Sequence, residues 1–291
     1  MEGANGFMAS AWRIARRFKF YLLINAFISS VALAAFAVLQ ASRDHEQLFG
    51  LAVYVVSLLR IAAVISWFEW IATKKQRILG DKRSALTAAQ RRTIYWRILW
   101  LVVPTECASF WFAAQYVSPQ TPHPSLFAWE FALFIPKSLW FEIVFDLCHF
   151  AMHWVCHRST WLYQHVHKRH HLHLHPCALS TYEQDGFDLI LTNVLPFCVA
   201  AVATPIFSPL QLQLLFAYKT YVEVAGHSGL ELKGFSFPQM PLVNAVGSFC
   251  LRVHDHDLHH THPRWNFAKR FSLWDRVFRT FRPGRPLAKS C

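Results

Sequence analysis

The sequence is poor in charged residues and lacks the short motifs of several common enzyme classes. Asp, Glu, Lys and Arg account for 16% of its 291 residues and hydrophobic residues for 54%, whereas soluble domains carry about 25% charged residues. A soluble enzyme or a disordered chain is therefore not expected. The sequence contains no GxGxxG loop, no GxSxG elbow, no HExxH pair and no CxxC pair. It has no internal repeat, Gly/Ser-rich linker or low-complexity tract, and this favours one helical unit.

Cysteine usage and net charge further restrict the class of protein. Seven cysteines are an odd number, and Cys148 and Cys156 lie within a stretch rich in histidine. This pattern favours a reduced cytosolic face over a disulfide framework. The formal net charge of +12 could indicate a nucleic-acid-binding protein. The basic residues instead occur in short blocks between apolar runs, which is typical of membrane proteins, and no nucleic-acid partner is expected.

Four apolar segments in the first half of the chain are candidate transmembrane helices. The first, residues 20–40, carries no charged residue and is long enough to cross a hydrocarbon core of about 30 Å. It also exceeds the apolar region of a signal peptide. The other three are 49–72, 98–117 and 126–146. A further apolar stretch, 187–226, is broken by prolines and predicts a helical hairpin that dips into the bilayer, with two full spans as the alternative.

The connecting loops predict the orientation. Residues 1–19 and 73–97 are rich in Lys and Arg, whereas 41–48 contains one basic residue and 118–125 contains none. The positive-inside rule places the N-terminus in the cytoplasm, and four spans return the chain to the cytoplasm near Asp146. We therefore predict an all-α, polytopic integral membrane protein. It has about four transmembrane helices, a membrane-dipping hairpin and a cytosolic helical cap that holds a histidine-rich dimetal site.

Two further features concern charge near the membrane. Lys137 and Glu106 could pair, because charges inside a bilayer rarely stay alone. The alternative is that Lys137 extends to the interface and Glu106 faces a polar cavity. The segment 252–291 contains nine Lys and Arg residues and is expected to lie on an anionic leaflet. For its last ten residues a solvated basic tail is an equal alternative.

Fifteen of the 17 histidines lie between His149 and His262. The first block has His149, His153 and His157 at four-residue spacing, so that successive imidazoles share a helix face. A second block contains HKRHH and a third contains HDLHH, which are two copies of HxxHH. In HKRHH the spacing places the first histidine with one of the last two on one face, and the remaining histidine turns towards a neighbouring ion. An isolated histidine stands in AGHSG.

So many imidazoles on one side of a membrane predict metal binding. Packed together they would repel one another if protonated, and they would lose hydration energy if left unpaired. Binding a metal as neutral ligands removes both costs. Eight or nine ligands exceed the four of a tetrahedral zinc site, so two ions are expected. The spacing does not choose between iron, zinc and copper, because imidazole suits all three.

In these histidine motifs the sequence resembles the fatty acid hydroxylase superfamily. These proteins are integral-membrane, histidine-rich di-iron oxygenases, and they include sterol C4-methyl oxidases, sterol desaturases and cholesterol 25-hydroxylases. The resemblance covers roughly residues 126–283. It rests on Asp146 seven residues before the HxxxH pair, then WLYQHVHKRHH, AGHSG, HDLHHTH, and Asn266-Phe267 with Trp274-Asp275. We accordingly divide the chain into a transmembrane region (1–125), a hydroxylase-like catalytic region (126–283) and a basic tail (284–291).

The resemblance implies a ligand set. The implied metal ligands are His153, His157, His167, His170, His171, His227, His256, His259 and His260. His149 and His254 are fallback ligands, whereas His165, His173, His175 and His262 are expected behind the ligands or at the surface. Asp146, Gln184, Asp255 and Asp257 are expected behind the ligands, where the last two could orient imidazoles or simply be solvated. Gln184 stands where many relatives carry a histidine, so that one site could lack an imidazole.

The implied activity is oxidation of a lipid or sterol with O₂ as co-substrate and two iron ions as cofactors, although zinc can replace iron during purification. The outcome is hydroxylation, methyl oxidation, desaturation or epoxidation. A zinc-dependent membrane hydrolase and a non-catalytic membrane scaffold are the alternatives. No HPGG haem motif is present, so the electrons are expected from a separate partner such as cytochrome b5 or a flavoprotein reductase. The expected location is the endoplasmic reticulum membrane, with the N-terminus and the histidines in the cytosol.

Overall fold

A computed structural model gives the fold of the chain. It describes residues 2–80, 83, 85–118, 120–232, 237–247 and 249–284, and for residues 2–17 and 245 the backbone alone. Within these ranges the chain is helical, and the only β-type pairings are two isolated bridges, Val117 with Phe207 and Cys250 with Phe271. The prediction of an all-α protein is confirmed. The predicted tail after Gly284 lies outside the described residues.

The first half of the chain forms long helices. They are α1 (Glu2–Ser42), α2 (Glu46–Lys74), α3 (Ala88–Arg97), α4 (Val103–Ala114) and α5 (Phe127–Arg158). A π-helical turn (Ile98–Val102) joins α3 to α4. Pro104 follows this turn, and its missing N–H removes one i→i−4 hydrogen bond, which explains why the regular helix is interrupted there.

The second half consists of shorter elements. The chain first forms α6 (Thr160–Leu162), a π turn (Tyr163–His167) and two 3₁₀ turns (His170–Leu172 and Leu179–Tyr182). It then forms α7 (Gly186–Leu189), a π turn (Ile190–Val194) and α8 (Leu195–Ala203). The last helices are α9 (Pro209–His227), α10 (Met240–Val246), α11 (Val253–Thr261) and α12 (Leu273–Val277). Most of the histidines lie on these short elements and at the end of α5.

Helix α9 forms the centre of the molecule. It begins with a capping box in which the Ser208 hydroxyl accepts from the backbone N–H of Gln211, and the Gln211 side chain accepts from the N–H of Ser208. Every residue from Leu210 to His227 is buried. The helix packs against α1, α2, α5 and α11. As a result, the C-terminal ends of α5 and α9 bring their histidines to the same end of the bundle.

Three helical segments are long and apolar enough to cross a membrane: Phe18–Ser42, Glu46–Lys74 and Gly186–Ala203. The first two correspond to the predicted spans 20–40 and 49–72, and the third lies in the predicted hairpin. The other two predicted spans are helical but are not among these segments. One is broken before α4, and the other, α5, carries Glu130, Lys137, Glu142 and Asp146. The number of crossings therefore stays a prediction.

The predicted pair between Lys137 and Glu106 is wrong. Lys137 Nζ donates to the carbonyl oxygen of Ile206 over 2.5 Å and to Gln211 Oε1 over 3.0 Å. Glu106 instead forms an ion pair with Arg60 on α2. Helix packing explains the difference, because α4 packs against α2, whereas Lys137 reaches Gln211 at the start of α9.

Three basic residues that the sequence analysis assigned to cytoplasmic surfaces are buried in ion pairs. Arg83 pairs with Asp257, Lys269 with Glu223, and Arg270 with Glu142. Their charges are neutralised inside the protein, because each side chain forms an ion pair with a carboxylate on a neighbouring element. The basic surface is correspondingly smaller than the sequence suggests.

Candidate metal centre

The nine predicted ligands lie together at the end of the helical bundle, in two adjacent clusters. The five-histidine cluster contains His153, His157, His167, His171 and His259. The four-histidine cluster contains His170, His227, His256 and His260. In each cluster the candidate ligand atoms lie within 4.8 Å of one another, and eight of the nine residues are buried. The two fallback residues, His149 and His254, lie outside both clusters.

Helical spacing explains how the histidines are divided. Residues four apart share a face, and His167 and His171 accordingly enter the five-histidine cluster together, while His170 turns into the other cluster. The second HxxHH motif does the reverse. Its i,i+4 pair enters the four-histidine cluster, and the intervening His259 joins the five-histidine cluster. Each motif thus contributes to both clusters and holds them side by side.

Hydrogen bonds fix the orientation of several imidazoles. Nδ1 of His153 donates to the carbonyl oxygen of Phe267 over 2.7 Å, and Nδ1 of His259 donates to that of Trp265 over 2.7 Å. In the other cluster, Nδ1 of His227 donates to a carbonyl oxygen of the preceding helical turn over 2.8 Å. A carbonyl oxygen only accepts, so the proton lies on Nδ1 and Nε2 presents a lone pair.

These lone pairs point at one another inside the cluster. Nε2 of His153 lies 3.1 Å from Nε2 of His167, whose Nδ1 donates to Asp188. Two lone pairs at this separation repel each other unless a cation lies between them. Nitrogens that bind one ion at about 2.1 Å lie roughly 3.0 Å apart when their bonds are at right angles. Nε2 of His259 is also buried without a hydrogen-bond partner. The donor set therefore fits a metal ion.

The electrostatic environment keeps the imidazoles neutral. Burial, together with the neighbouring imidazoles, lowers the pKa of His153, His170, His171 and His260 well below the usual value. For His259 burial lowers the pKa to about 3. Neutral imidazole is the form that binds a metal, so no protons need to be displaced near neutral pH.

Comparison with known proteins agrees with this geometry. The sequence model of the family described as Fatty acid hydroxylase matches residues 138–280, a segment that contains all nine clustered histidines. The chain belongs to the fatty acid hydroxylase family. This confirms the resemblance seen in the motifs, and membership identifies the chain as an oxidoreductase of the hydroxylase type.

Three relatives illustrate the extent of the similarity. The chain is 28% identical to zebrafish cholesterol 25-hydroxylase-like protein 1, member 2, over 80% of this chain and 82% of the relative. It is 29% identical to human cholesterol 25-hydroxylase, over 53% of this chain and 54% of the relative. It is 30% identical to sphinganine C4-monooxygenase 1 of Arabidopsis thaliana, over 48% and 52%. The match thus spans about half the length of the human and plant relatives. No solved structure gives a significant match.

In this fatty acid hydroxylase family member, the segment 265–271 supports the five-histidine cluster. Asp146 accepts hydrogen bonds from the backbone N–H groups of Lys269, Arg270 and Phe271 over 2.7–3.0 Å. Asp275 accepts two more, from Phe267 and Ala268. These bonds fix the carbonyl groups that orient His153 and His259. Asp146 therefore supports the ligands through the backbone of this segment, and none of its described hydrogen bonds is to an imidazole.

The other residues expected behind the ligands have different partners. The side-chain amide of Gln184 lies 3.4 Å from Nδ1 of His170. Asp255 accepts from the backbone N–H groups of Arg252 and Gly284, so it caps the start of α11. Asp257 binds Arg83 and, over 2.8 Å, Nδ1 of His175. No described hydrogen bond joins either aspartate side chain to a clustered histidine.

Sequence reasoning missed Asp188. Its carboxylate accepts from Nδ1 of His167 over 2.7 Å, and both side chains are almost fully buried. Cys156 lies close to the same pair. Because Nδ1 of His167 faces Asp188, its Nε2 is directed into the cluster. Asp188 therefore orients a candidate ligand from behind. No motif marks it, since it lies 21 residues from the histidine that it contacts.

Proposed function

We propose that this protein is a membrane-bound di-iron oxygenase that uses O₂ to hydroxylate a lipid. The observation that carries the proposal is the pair of buried histidine clusters, in which lone-pair nitrogens face one another. Family membership supports the reaction class, because the relatives named above include a sterol 25-hydroxylase and a sphinganine monooxygenase. Methyl oxidation, desaturation and epoxidation of a sterol or other lipid are related outcomes of the same chemistry.

One iron ion is assigned to each cluster. Imidazole is a good ligand for ferrous iron, and zinc can occupy the same site after purification. When bound, the iron pair supplies the reduction of O₂ and the oxidation of a C–H bond. The protein's own contribution is to hold the imidazoles neutral, to orient them through Asp188 and the carbonyl groups of the 265–271 segment, and to exclude water from the site.

The substrate is expected to come from the bilayer. Three helical segments are candidate membrane spans, and the clusters lie where α5 and α9 end. A long apolar molecule can therefore reach the site without crossing water. The positive-inside pattern supports a cytosolic position for the clusters and the N-terminus, and the endoplasmic reticulum is the proposed membrane.

The electrons are proposed to come from a separate protein, of the cytochrome b5 or flavoprotein reductase class. Each O₂ cycle needs two electrons, and the sequence lacks the haem and dinucleotide motifs that would supply them within the chain. Exposed basic residues remain on the described part of the chain, among them Arg158 and Lys168 close to the histidine blocks in sequence, and Arg92 on α3. Such charges attract an acidic donor, and the attraction weakens with salt.

Metal analysis combined with lipid mass spectrometry tests the proposal. Protein purified under reducing conditions should contain about two irons per chain and should consume O₂ when lipid, NADPH and a donor system are supplied. Cells that express it should contain a lipid heavier by one oxygen atom, and this product should vanish in the His259→Ala variant. His165→Ala is the matched control, because His165 is exposed and lies outside both clusters. Stoichiometric zinc with hydrolysis and no O₂ consumption would overturn the proposal, as would full activity of His259→Ala.

A further inference from the structure

A shallow groove on α3 combines two arginines with aromatic and aliphatic side chains. The residues that line it recur every three or four positions, so they form one face of the helix and of the π turn that follows it. None of them belongs to either histidine cluster. The lining residues of this α3 groove are Ala88, Arg91, Arg92, Tyr95, Trp96 and Leu99.

One end of the α3 groove is positively charged. Arg92 is exposed, and within the described part of the chain it forms no ion pair. Arg91 pairs with Glu69 of α2 over 3.3 Å, but its side chain is still 44% exposed. Two guanidinium groups therefore face one carboxylate, and a net positive charge with free N–H donors is left at this end. Guanidinium groups bind phosphate well, because their donors match the phosphate oxygens.

The other end of the groove is apolar. Trp96 is 56% exposed and stacks on Trp100, with 6.3 Å between the ring centroids, and Trp100 is 71% exposed. Leu99 closes the groove at this end. Eight residues separate Arg91 from Leu99, so the surface changes from basic to apolar over about 12 Å. A ligand that fills the groove has one anionic end and one apolar end.

Contacts with α2 give the depth of the groove in the membrane. Helix α2 (Glu46–Lys74) is a candidate membrane span, and Glu69, which binds Arg91, lies five residues or about 7.5 Å from its end. Tyr54, well inside the same span, donates through its hydroxyl to the carbonyl oxygen of Leu99 over 2.7 Å. The charged end of the groove is thus near the membrane surface and the apolar end is inside the bilayer. Tyr95 and Trp96, between the two ends, are residue types that favour the interface.

The groove lies on the outer side of α3. The inner side contains Ile94, which is completely buried, and Arg97, which donates to the backbone carbonyl oxygen of Gln184 over 2.9 Å. Gln184 in turn contacts His170 of the four-histidine cluster. A molecule in the groove is therefore separated from the clusters by α3 itself, and it occupies a site distinct from that of the oxidised substrate.

We propose that the α3 groove binds an anionic phospholipid of the surrounding leaflet, with its phosphate on Arg91 and Arg92 and an acyl chain along Trp96 and Leu99. The basic loop before α3 is predicted to be cytoplasmic, and the cytoplasmic leaflet is the anionic one. An acidic soluble protein fits less well, because half of the groove lies at the depth of the bilayer interior. This inference does not depend on the proposed oxygenase function.

Native mass spectrometry of the full-length protein in detergent tests the site without catalysis. The probes are phosphatidylserine and phosphatidylcholine with identical acyl chains, and glycerophosphoserine, which has the head group without the chains. The variants are Arg92→Gln, which removes one charge, and Trp96→Ala, which removes part of the apolar wall. Arg276→Gln is the matched control, because Arg276 is also exposed and also lies over an aromatic ring, that of Phe281, outside the groove.

We expect the wild type and the control to bind phosphatidylserine more tightly than phosphatidylcholine. Arg92→Gln should weaken phosphatidylserine binding about fivefold and change phosphatidylcholine binding much less. Trp96→Ala should weaken the binding of both lipids to a similar extent, because the acyl chains are the same. Glycerophosphoserine should not displace phosphatidylserine at equal concentration, since it makes no contact with the apolar end.

Three results would overturn the proposal. They are wild-type affinity for phosphatidylserine in Arg92→Gln, equal affinity of the wild type for the two lipids, and displacement by glycerophosphoserine, which would indicate a site for free phosphate esters. A test with an acidic electron-donor protein covers the remaining ligand class. If Arg92→Gln weakened donor binding and left lipid binding intact, the groove would be a protein-docking surface and the proposal would be wrong.

Discussion

Nδ1 of His167 donates a hydrogen bond to Asp188 over 2.7 Å, and side-chain exposure is 2% for the histidine and 0% for the aspartate. The carboxylate fixes the tautomer and raises the basicity of a candidate ligand. Replacing Asp188 with Asn keeps the size and one acceptor but removes the charge. We expect metal affinity of the five-histidine cluster to fall by about 10–100-fold, measured as metal retained across a chelator titration.

The control for this variant is Asp185→Asn. Asp185 is half-buried and pairs with Arg169, three residues away from Asp188, but it does not contact a clustered histidine among the described contacts. Its titration curve should coincide with that of the wild type. Equal curves for Asp188→Asn and the wild type would show that Asp188 does not support the metal.

Asn266 has a left-handed backbone with φ of 60°, between the two carbonyl groups that orient His153 and His259. Its side chain donates to the carbonyl oxygens of Asp255 and Arg282. Asn266→Ala loses these bonds and places a less tolerant residue in the left-handed region, which costs about 1–2 kcal/mol for the backbone alone. We expect a lower Tm together with weaker metal binding.

Asn266→Gly separates the two contributions. Glycine adopts positive φ without strain but cannot make the side-chain bonds. A Tm for Asn266→Gly above that of Asn266→Ala, with metal binding still weakened, is the expected result. Wild-type metal binding in both variants would mean that the segment does not orient the ligands.

The two clusters can be distinguished by single replacements. His157 belongs to the five-histidine cluster and His227 to the four-histidine cluster, and neither lies in an HxxHH motif that serves both. His157→Ala and His227→Ala should each lower the iron content by about one ion per chain, and the double variant should retain almost none. Elemental analysis of purified protein gives the stoichiometry. Loss of both ions from either single variant would instead indicate that the clusters bind metal cooperatively.

Helical periodicity predicted which histidines share a face, because the i,i+4 relation depends only on local geometry. It left open whether His170 or His171 accompanies His167. That outcome depends on tertiary contacts, because α9 positions His227 and the 265–271 segment positions the carbonyl groups that orient His153 and His259.

This dependence on tertiary contacts also explains why Lys137 was predicted to pair with Glu106. Opposite charges in neighbouring spans are a reasonable pair in sequence, but helix packing brought Arg60 to Glu106 instead. Asp188 was missed for a related reason. A carboxylate that orients a ligand from behind needs no fixed spacing from it, so that only the folded chain reveals the contact.

Gln184 provides a test on the four-histidine cluster. Its amide lies beside Nδ1 of His170, so Gln184→Leu removes a polar neighbour from a candidate ligand. We expect this variant to lose the ion of the four-histidine cluster at a lower chelator concentration than the wild type, about tenfold lower. Gln184→His restores a hydrogen-bonding group at this position and should retain the metal better than Gln184→Leu. Identical curves for all three proteins would exclude a supporting role for residue 184.

The pH dependence of the metal-free protein follows from the buried imidazoles. His153, His170, His171 and His260 have pKa values well below the ordinary 6.5 because of burial and of one another. Below about pH 6.5 the unfolded chain therefore binds more protons at these positions than the folded chain does, and unfolding becomes more favourable as the pH falls.

We accordingly expect the Tm of the chelator-treated protein to decrease between about pH 7 and pH 5 and to change little above this range. A His170→Ala, His260→Ala double variant removes two of these buried imidazoles, and its Tm should fall less steeply. At pH values above 6.5, added metal should raise the Tm. In acid this stabilisation should disappear, because protons compete with the metal for the same nitrogens. A Tm of the metal-free protein that rises on acidification would contradict the neutral, buried state of the clusters.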